Sequence, residues 1–400
     1  MDRTEPTIGL LGPIETAQFA EFLPKSIFNR PVPPGLGGTP VNSLALELLR
    51  RGRRVTLFSL DPSVDREMTI EGDRLRIVFG PFTHHRGRNW FTRERRALRQ
   101  AIARERPTAL HAHWTYEYAL AASDSGLPHV VTAHDAPWSI LRHSFNTYRV
   151  VRTAMAYQAG HRAEMMTAVS PYVADHLRRY GFHRKPIRVI GNGTADPGPP
   201  PPRGVLGPVR IAIITSGGWD RHKNLPTALL AFQHLRRDLP DARLTLIGSG
   251  CEPNGAAQHW MESQELALAG LDFRGPLSHT ATLDALASHH ILLHPSREES
   301  FSMVALEAMS RGVAVVAGRN VGALPWLLEE GRSGMLVDIR KPEEIAAGLL
   351  HLAYDSEKRA AMTLAAYHAF RSRFSIGAIT DAYEEIYAGL FQAGKRPSGR

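Results

Sequence analysis

Apolar runs of five to eight residues alternate with stretches of helical period from one end of the chain to the other. In the first half the runs are IGLLGPI (8–14), RVTLFSL (54–60), ALHAHW (109–114), HVVTAHD (129–135), MMTAVS (165–170) and IRVIGNG (187–193). The second half repeats the rhythm with RIAIITSG (210–217), RLTLIGSG (243–250), LDFRG (271–275), ILLHPS (291–296), VAVVAG (313–318) and GMLVD (334–338). Short, nearly continuous apolar runs separated by helical patterns predict strands buried on both faces, that is, parallel sheets covered by helices. Between the halves, DPGPPPPRGVLGP (196–208) is too rich in proline and glycine to continue a helix or pair inside a sheet. It predicts a linker at 197–208 between a domain at 1–196 and another at 209–374. The expected class is therefore α/β, with two Rossmann-like doubly wound domains. Open sheets of this kind bind ligands beyond the carboxyl ends of their strands, so two that face a central cleft would line it with the loops that follow those strands.

Composition narrows the function classes. A chain of 400 residues exceeds what one core usually organises. No run reaches the ~18 apolar residues of a spanning helix, and the start MDRTEPTIGLLGPIETAQF lacks a signal-peptide pattern, so a cytoplasmic protein is expected. Cys251 is the single cysteine, which fits a reducing compartment. A formal net charge of +9 points to an anionic partner: nucleic acid, an anionic lipid surface or a phosphorylated small molecule. Residues 86–106 hold eight arginines against two glutamates, with Phe91, Leu98 and Ile102 spaced to share one helical face. Such a segment is either a peripheral membrane contact or an ordinary solvated helix.

The segment SREESFSMVALEAMSRGVAVVAG (296–318) carries the chemistry. A buried strand ends, a serine-rich loop presents Glu299, and a helix starting near Ser302 carries Glu307. The N–H groups of Ser302, Met303 and Val304 would then form a helix amino end, a site for an anion such as a diphosphate. Carboxylates accept hydrogen bonds from hydroxyls, so Glu299 and Glu307 suit the sugars on either side of that diphosphate. Two glutamates at this spacing also occur by chance, as a loop acid and a helix-surface acid. Set within ESFSMVALEAMSRGVAVVAG, however, they resemble the signature of the retaining glycosyltransferases of family 4, which have the GT-B fold and a Glu-x7-Glu motif.

The resemblance spans nearly the whole chain. PPGLGGTPVNSLALELLRRGRRVTLFSL is similar to the family's glycine-rich loop, helix and second strand, with Gly37 and Gly38 able to admit a donor diphosphate close to the backbone. VVTAHD, VSPYVADHL, VIGNGT and GALPWLLEEGRSGMLV look like further landmarks, and LDFRGPLS resembles the loop whose backbone and Arg274 lie near the nucleotide base. TSGGWDRHKNLPTALLAF (215–232) is similar to the G-R-x-x-x-x-K-G segment, with Lys223 on the lysine position and Trp219 where the family has arginine. Two readings stand: Arg221 supplies the guanidinium from a shifted loop, or Trp219 marks an altered donor pocket. His134, at the end of a buried strand, occupies the position of a histidine near the reacting sugar carbon; its plain reading is a structural polar tip. His111 and His113 have metal-like spacing, but no third ligand accompanies them and no zinc is expected. The final stretch 375–392 is expected to cross back onto the first domain, as in similar proteins.

Metal-dependent sugar transferases of the other large fold hold an ion on paired aspartates one residue apart, and no aspartates here have that spacing. The expectation is thus a metal-independent, retaining transferase without a cofactor, moving a sugar from a nucleotide-sugar donor to a glycan or lipid-linked acceptor of cell-surface polysaccharide synthesis. Lys223, an arginine and the helix amino end would neutralise the leaving group. A nucleotide-sugar epimerase of the same fold is the alternative. A nucleic-acid-binding protein is a more distant one, because the chain lacks a basic patch interleaved with aromatics on a known binding module.

Overall fold

The computed structural model describes all residues except 1–4, 30, 84–85, 144, 201–206, 216–217 and 396–400. The chain divides into two compact units, one built from residues up to Ala195 together with those from Ile376 onward, the other from Asp196–Ser375. Residues 201–206 of the expected linker lie outside the described residues.

The first unit runs β1 (Thr7–Leu11), α1 (Thr39–Arg50), β2 (Arg54–Asp61), β3 (Met68–Glu71), β4 (Leu75–Pro81), α2 (Thr92–Glu105), β5 (Ala109–His113), α3 (Glu117–Ser123), β6 (His129–Ala133), α4 (Pro137–His143), α5 (Thr147–Arg162), β7 (Met165–Ala168), α6 (Pro171–Arg179) and β8 (Ile187–Val189). The sheet order is β3-β4-β2-β1-β5-β6-β7-β8, parallel throughout except for β3 against β4. The strand order reverses direction between β1 and β5, so the loops after Leu11 and His113 border the crevice that such a reversal opens. The hydrophobic pattern did not single out β3 and β4. β3 is a short edge strand with only Ile70 buried, so it lacks the continuous apolar signal of the central strands.

In the second unit β9 (Arg210–Ile214), α7 (Leu225–Asp238), β10 (Arg243–Ile247), α8 (Ala256–Ser263), β11 (Leu271–Gly275), α9 (His279–Ala287), β12 (Ile291–His294), α10 (Met303–Ser310), β13 (Ala314–Gly318), α11 (Leu324–Leu327), β14 (Met335–Val337), α12 (Pro342–Tyr354) and α13 (Ser356–Arg373) form an all-parallel sheet of order β11-β10-β9-β12-β13-β14. Here the reversal falls between β9 and β12. Both units are thus doubly wound α/β layers.

The last helix, α14 (Ile376–Lys395), belongs to the first unit. Its Tyr387 hydroxyl lies 2.7 Å from His111 Nδ1, whose other nitrogen is 2.6 Å from Thr132 Oγ1. Thr132 Oγ1 also meets Thr167 Oγ1 at 2.6 Å and Tyr383 Oη at 3.0 Å. The His111, Thr132 and Thr167 side chains that β5, β6 and β7 place on this covered face thus all find partners, as burial demands. This accounts for His111 as a structural residue and removes it from any metal reading.

The arginine-rich segment 86–106 is not one amphipathic helix. A single turn at Arg86–Asn89 is followed by left-handed backbone at Trp90 (φ 52°) and Phe91 (φ 54°), and only then does α2 begin. Phe91, Leu98 and Ile102 are buried inside the unit. The apolar face proposed for a bilayer is therefore already used by the protein's own core, which corrects that expectation. Several of the arginines are also engaged, Arg95 with Asp124 at 2.8 Å and Arg104 with Glu105 at 2.8 Å and with Glu67. Among the described residues no helix is long and apolar enough to cross a membrane.

Replacing Tyr387 with Phe leaves His111 Nδ1 sealed without its partner, at an expected cost of about 1–3 kcal/mol. Native-state hydrogen exchange of the β5 and β6 amides should accelerate accordingly in Tyr387→Phe; an unchanged rate would show that the buried network contributes nothing.

Candidate functional site

In the second unit Lys223 and Glu299 meet at the strand-order reversal, because one follows β9 and the other follows β12, its sheet neighbour. Lys223 ends a short turn, Arg221–Lys223, opened by Asp220, whose carboxylate accepts from the His222 N–H at 3.2 Å. The next residue, Asn224, has φ 56°, left-handed backbone that Asn tolerates better than most residues. It is buried, donates to the Ile339 carbonyl at 2.7 Å, and accepts from Arg297 Nε at 3.0 Å and from the Thr227 hydroxyl at 2.8 Å. The Arg297 N–H in turn donates to the His222 carbonyl at 2.8 Å. One arginine thereby ties the Lys223 turn to the loop bearing Glu299.

Lys223 Nζ donates to Glu299 Oε1 at 3.1 Å, and His294 Nε2, at the end of β12, lies 3.2 Å from the same oxygen. Both partners of the Lys223–Glu299 pair are largely shielded from solvent, with 14% and 15% side-chain exposure. Burial pushes the Glu299 carboxyl up, yet the hydrogen bond and charge of His294, with the charge and hydrogen bond of Lys223, outweigh it and bring it to about 2. The loop is held from below by Phe301, packed edge-on against Trp326 (6.3 Å) and Phe374 (5.7 Å). On its far side the Glu299 carbonyl accepts from the Ala323 N–H at 2.9 Å. Gly322 has φ +46°, and a Cβ there would come within 1.9 Å of the Glu299 carbonyl oxygen, so only glycine lets the two backbones approach.

Ser302 caps α10. Its hydroxyl accepts from the Ala305 N–H at 3.2 Å and lies 3.2 Å from His294 Nε2, while its backbone is forced to φ 90°. Positive φ at a serine costs on the order of 1–3 kcal/mol and persists only where the surroundings impose it. With Ala305 capped, the amides of Met303 and Val304 have no acceptor among the described residues. Glu307, one turn on, is buried and holds His279 Nε2 at 2.8 Å. Neither acid points to bulk water.

The remaining residues of interest are more dispersed. Arg221 is exposed in the same turn as Lys223, while Trp219 packs against Trp260 at 5.9 Å between ring centres. Arg274, on edge strand β11, is exposed and paired with Asp272 at 2.7 Å. In the first unit Gly38 caps α1 at φ 127°, where a Cβ would fall 2.0 Å from the Pro13 carbonyl oxygen; Gly37, at φ 79°, has open space on its Cβ side. His134, just past β6, is buried with Nε2 3.0 Å from His113 Nδ1 and its ring stacked on Trp114 at 4.4 Å. Burial lowers His134 to about 3, so the ring is neutral. Among the described residues no cluster of three or more His, Cys, Asp or Glu side chains could hold a metal ion.

Sequence reasoning missed His294, Asn224, Arg297, Gly322 and His279. His294 carried a usable signal, a histidine at the carboxyl end of a buried strand in ILLHPS, the same context that drew attention to His134.

The Glycosyltransferase Family 4 model matches residues 38–197, and the model for glycosyl transferases group 1 matches residues 208–369. The chain is 34% identical over 195 residues to the D-inositol 3-phosphate glycosyltransferase of Corynebacterium kroppenstedtii, covering 47% of this chain and 42% of that protein. It is 26% identical over 231 residues to the lipopolysaccharide core biosynthesis glycosyltransferase LpsE of Rhizobium meliloti, covering 55% and 62%. The chain spans about half the length of the curated relatives it matches. Sucrose-phosphate synthase from Thermosynechococcus elongatus superposes with a TM-score of 0.75 at 20% identity, over 97% of this chain and 100% of that one. Anabaena HepE in complex with UDP and glucose gives 0.66 at 17% identity, over 95% and 99%. These structural likenesses identify the GT-B fold, and with both halves matched by family models the chain belongs to the family 4, group 1 glycosyltransferases.

Proposed function

We propose that the chain transfers a glycosyl unit from a nucleoside-diphosphate sugar to an acceptor, with retention of anomeric configuration and without a metal ion. The observation that carries this reading is the pairing of Lys223 with an ionised, buried Glu299 beside the uncapped amides that open α10. An ammonium has three donors and Glu299 takes one, so Lys223 keeps donors for a phosphate oxygen. The Met303 and Val304 amides supply further donors with the favourable end of the helix dipole. Glu299, fixed as an acceptor-only carboxylate, suits hydroxyls of the transferred sugar, and the second oxygen of Glu307 suits the ribose.

As the bond from the anomeric carbon to the diphosphate breaks, negative charge grows on the leaving oxygen and positive charge on the sugar ring. Lys223 and the amides meet the first, and the Glu299 carboxylate stabilises the second through the hydroxyls it holds. The acceptor hydroxyl then attacks from the face the diphosphate vacates. Arg221 is free to turn toward the phosphates, whereas Trp219 is committed to Trp260, which favours Arg221 as the stand-in for the family arginine. An acceptor of saccharide type is supported by the names of relatives such as LpsE.

Lys223→Ala and Glu299→Gln should each lower kcat by roughly 10²–10³, the usual cost of one preorganised charge-stabilising group. Steady-state kinetics with nucleoside-diphosphate sugars measures this, and wild-type turnover in either variant would refute the assignment. Gly322→Ala removes no chemical group, yet it should displace Glu299 and reduce turnover comparably while Lys223 stays intact. Glu299 also sets a pH signature. Its folded value near 2 lies below the ordinary 4.5, so between those values the unfolded chain binds more protons and stability rises with pH. The contribution is complete above about 4.5 and lost as pH falls toward 2. Urea midpoints of the wild type and Glu299→Gln should accordingly draw closer on acidification through that window; a constant gap would contradict it.

A further inference from the structure

Three histidine rings are stacked or bonded in series in the first unit. His111 and His113 stack at 4.1 Å, and His113 Nδ1 lies 3.0 Å from His134 Nε2. His111 is satisfied at both nitrogens, by Tyr387 and Thr132. His113 is not: its Nε2 is sealed from solvent with no hydrogen-bond partner among the described residues. His134 Nδ1, the free end of the series, is neither bonded to protein nor among the sealed atoms.

A neutral imidazole carries one N–H, so a single proton lies between His113 and His134 and two arrangements are possible. In one, His134 donates to His113, which places the remaining His113 proton on the sealed Nε2 as a buried, orphaned donor. In the other, His113 donates from Nδ1 and leaves only a lone pair at the sealed position. Orphaned buried N–H groups are the rarer defect, which selects the second arrangement. His134 Nε2 is then an acceptor, and the His134 proton sits on Nδ1, the nitrogen that remains open. Trp114, stacked on the His134 ring at 4.4 Å, fixes the plane in which that N–H points.

We propose that His113 is a positioning residue that locks His134 as the Nδ1–H tautomer, so that His134 meets its ligand as a hydrogen-bond donor to an oxygen, such as a sugar hydroxyl, and never as a base. The assignment of that ligand rests on the transfer reading above; the tautomer does not. His113 touches no substrate in this scheme and acts only through the proton it supplies.

The test is nitrogen–proton correlation through the two-bond imidazole couplings of ¹⁵N-labelled full-length protein at neutral pH, with His113→Asn and His113→Leu used for assignment and kinetics. The expected spectrum has His134 protonated on Nδ1 with a bare Nε2, and His113 in the same tautomer. A His134 proton on Nε2 overturns the proposal, and this readout on the wild type stands even where a variant fails to fold. In His113→Asn the side-chain amide donates in place of Nδ1–H and should keep kcat within a few-fold of wild type. His113→Leu should lose on the order of 10²-fold in kcat through a mispositioned ring, with little change in donor KM. Equal kcat for His113→Leu and wild type would likewise overturn it. Should the wild type turn over no nucleoside-diphosphate sugar, the transfer reading falls while the spectrum still decides the tautomer.

Discussion

A carboxylate withdrawn from water must either take up a proton or be given opposing charge and donors. At Glu299 the second solution holds, and much of the surrounding architecture serves it. His294 and Lys223 both reach Oε1, from strands that are neighbours in the sheet. Lys223 does so across the reversal of strand order between β9 and β12, which opens room above the strand ends for the two loops to converge. Arg297 and Asn224 then join the loops to each other, Phe301 anchors one of them in an aromatic cluster, and Gly322 lets a third backbone segment come close enough to hold the Glu299 carbonyl. An ion pair so shielded is weak evidence of stability, since desolvation offsets most of its attraction.

How far this was legible in the sequence depended on the range of the interaction. The buried strands announced themselves as apolar runs, since a parallel sheet covered on both faces leaves no room for alternation. Glu299, Ser302 and Glu307 were noticed from their place after a strand and at a helix start, and Lys223 from the likeness of its segment to the family's G-R-x-x-x-x-K-G stretch, all of it local information. The partners were not local. His294 to Glu299 spans five residues but turns on a loop geometry that periodicity does not encode. Arg297 to Asn224 and Gly322 to Glu299 join segments from different crossovers, and only the folded sheet brings them together. β3, exposed at three of its four positions on the edge, had too few buried positions to register.

The arginine-rich segment shows the opposite failure, a signal that was present and misleading. Leu98 and Ile102 do lie on the apolar face of α2, with Phe91 buried just before the helix, but a face has no label saying which solvent it avoids. The left-handed residues Trp90 and Phe91 break the helix early and turn Phe91 into the core, and Arg95 and Arg104 are neutralised by nearby carboxylates. Pattern alone cannot separate a helix that covers its own sheet from one that covers a bilayer. Burial decides it here.

The two units handle charge in contrasting ways. In the second, a lysine, an ionised glutamate and bare helix amides are gathered at one end of the sheet, an arrangement whose charges and donors are set before any ligand arrives. In the first, the corresponding strand ends carry rings kept neutral: burial holds His111 and His134 near 3 and drives His113 well below the usual histidine range. The same burial runs from His111, through the His113 ring stacked on it, to His134, which is bonded to His113 and stands just past the carboxyl end of the inner strand β6.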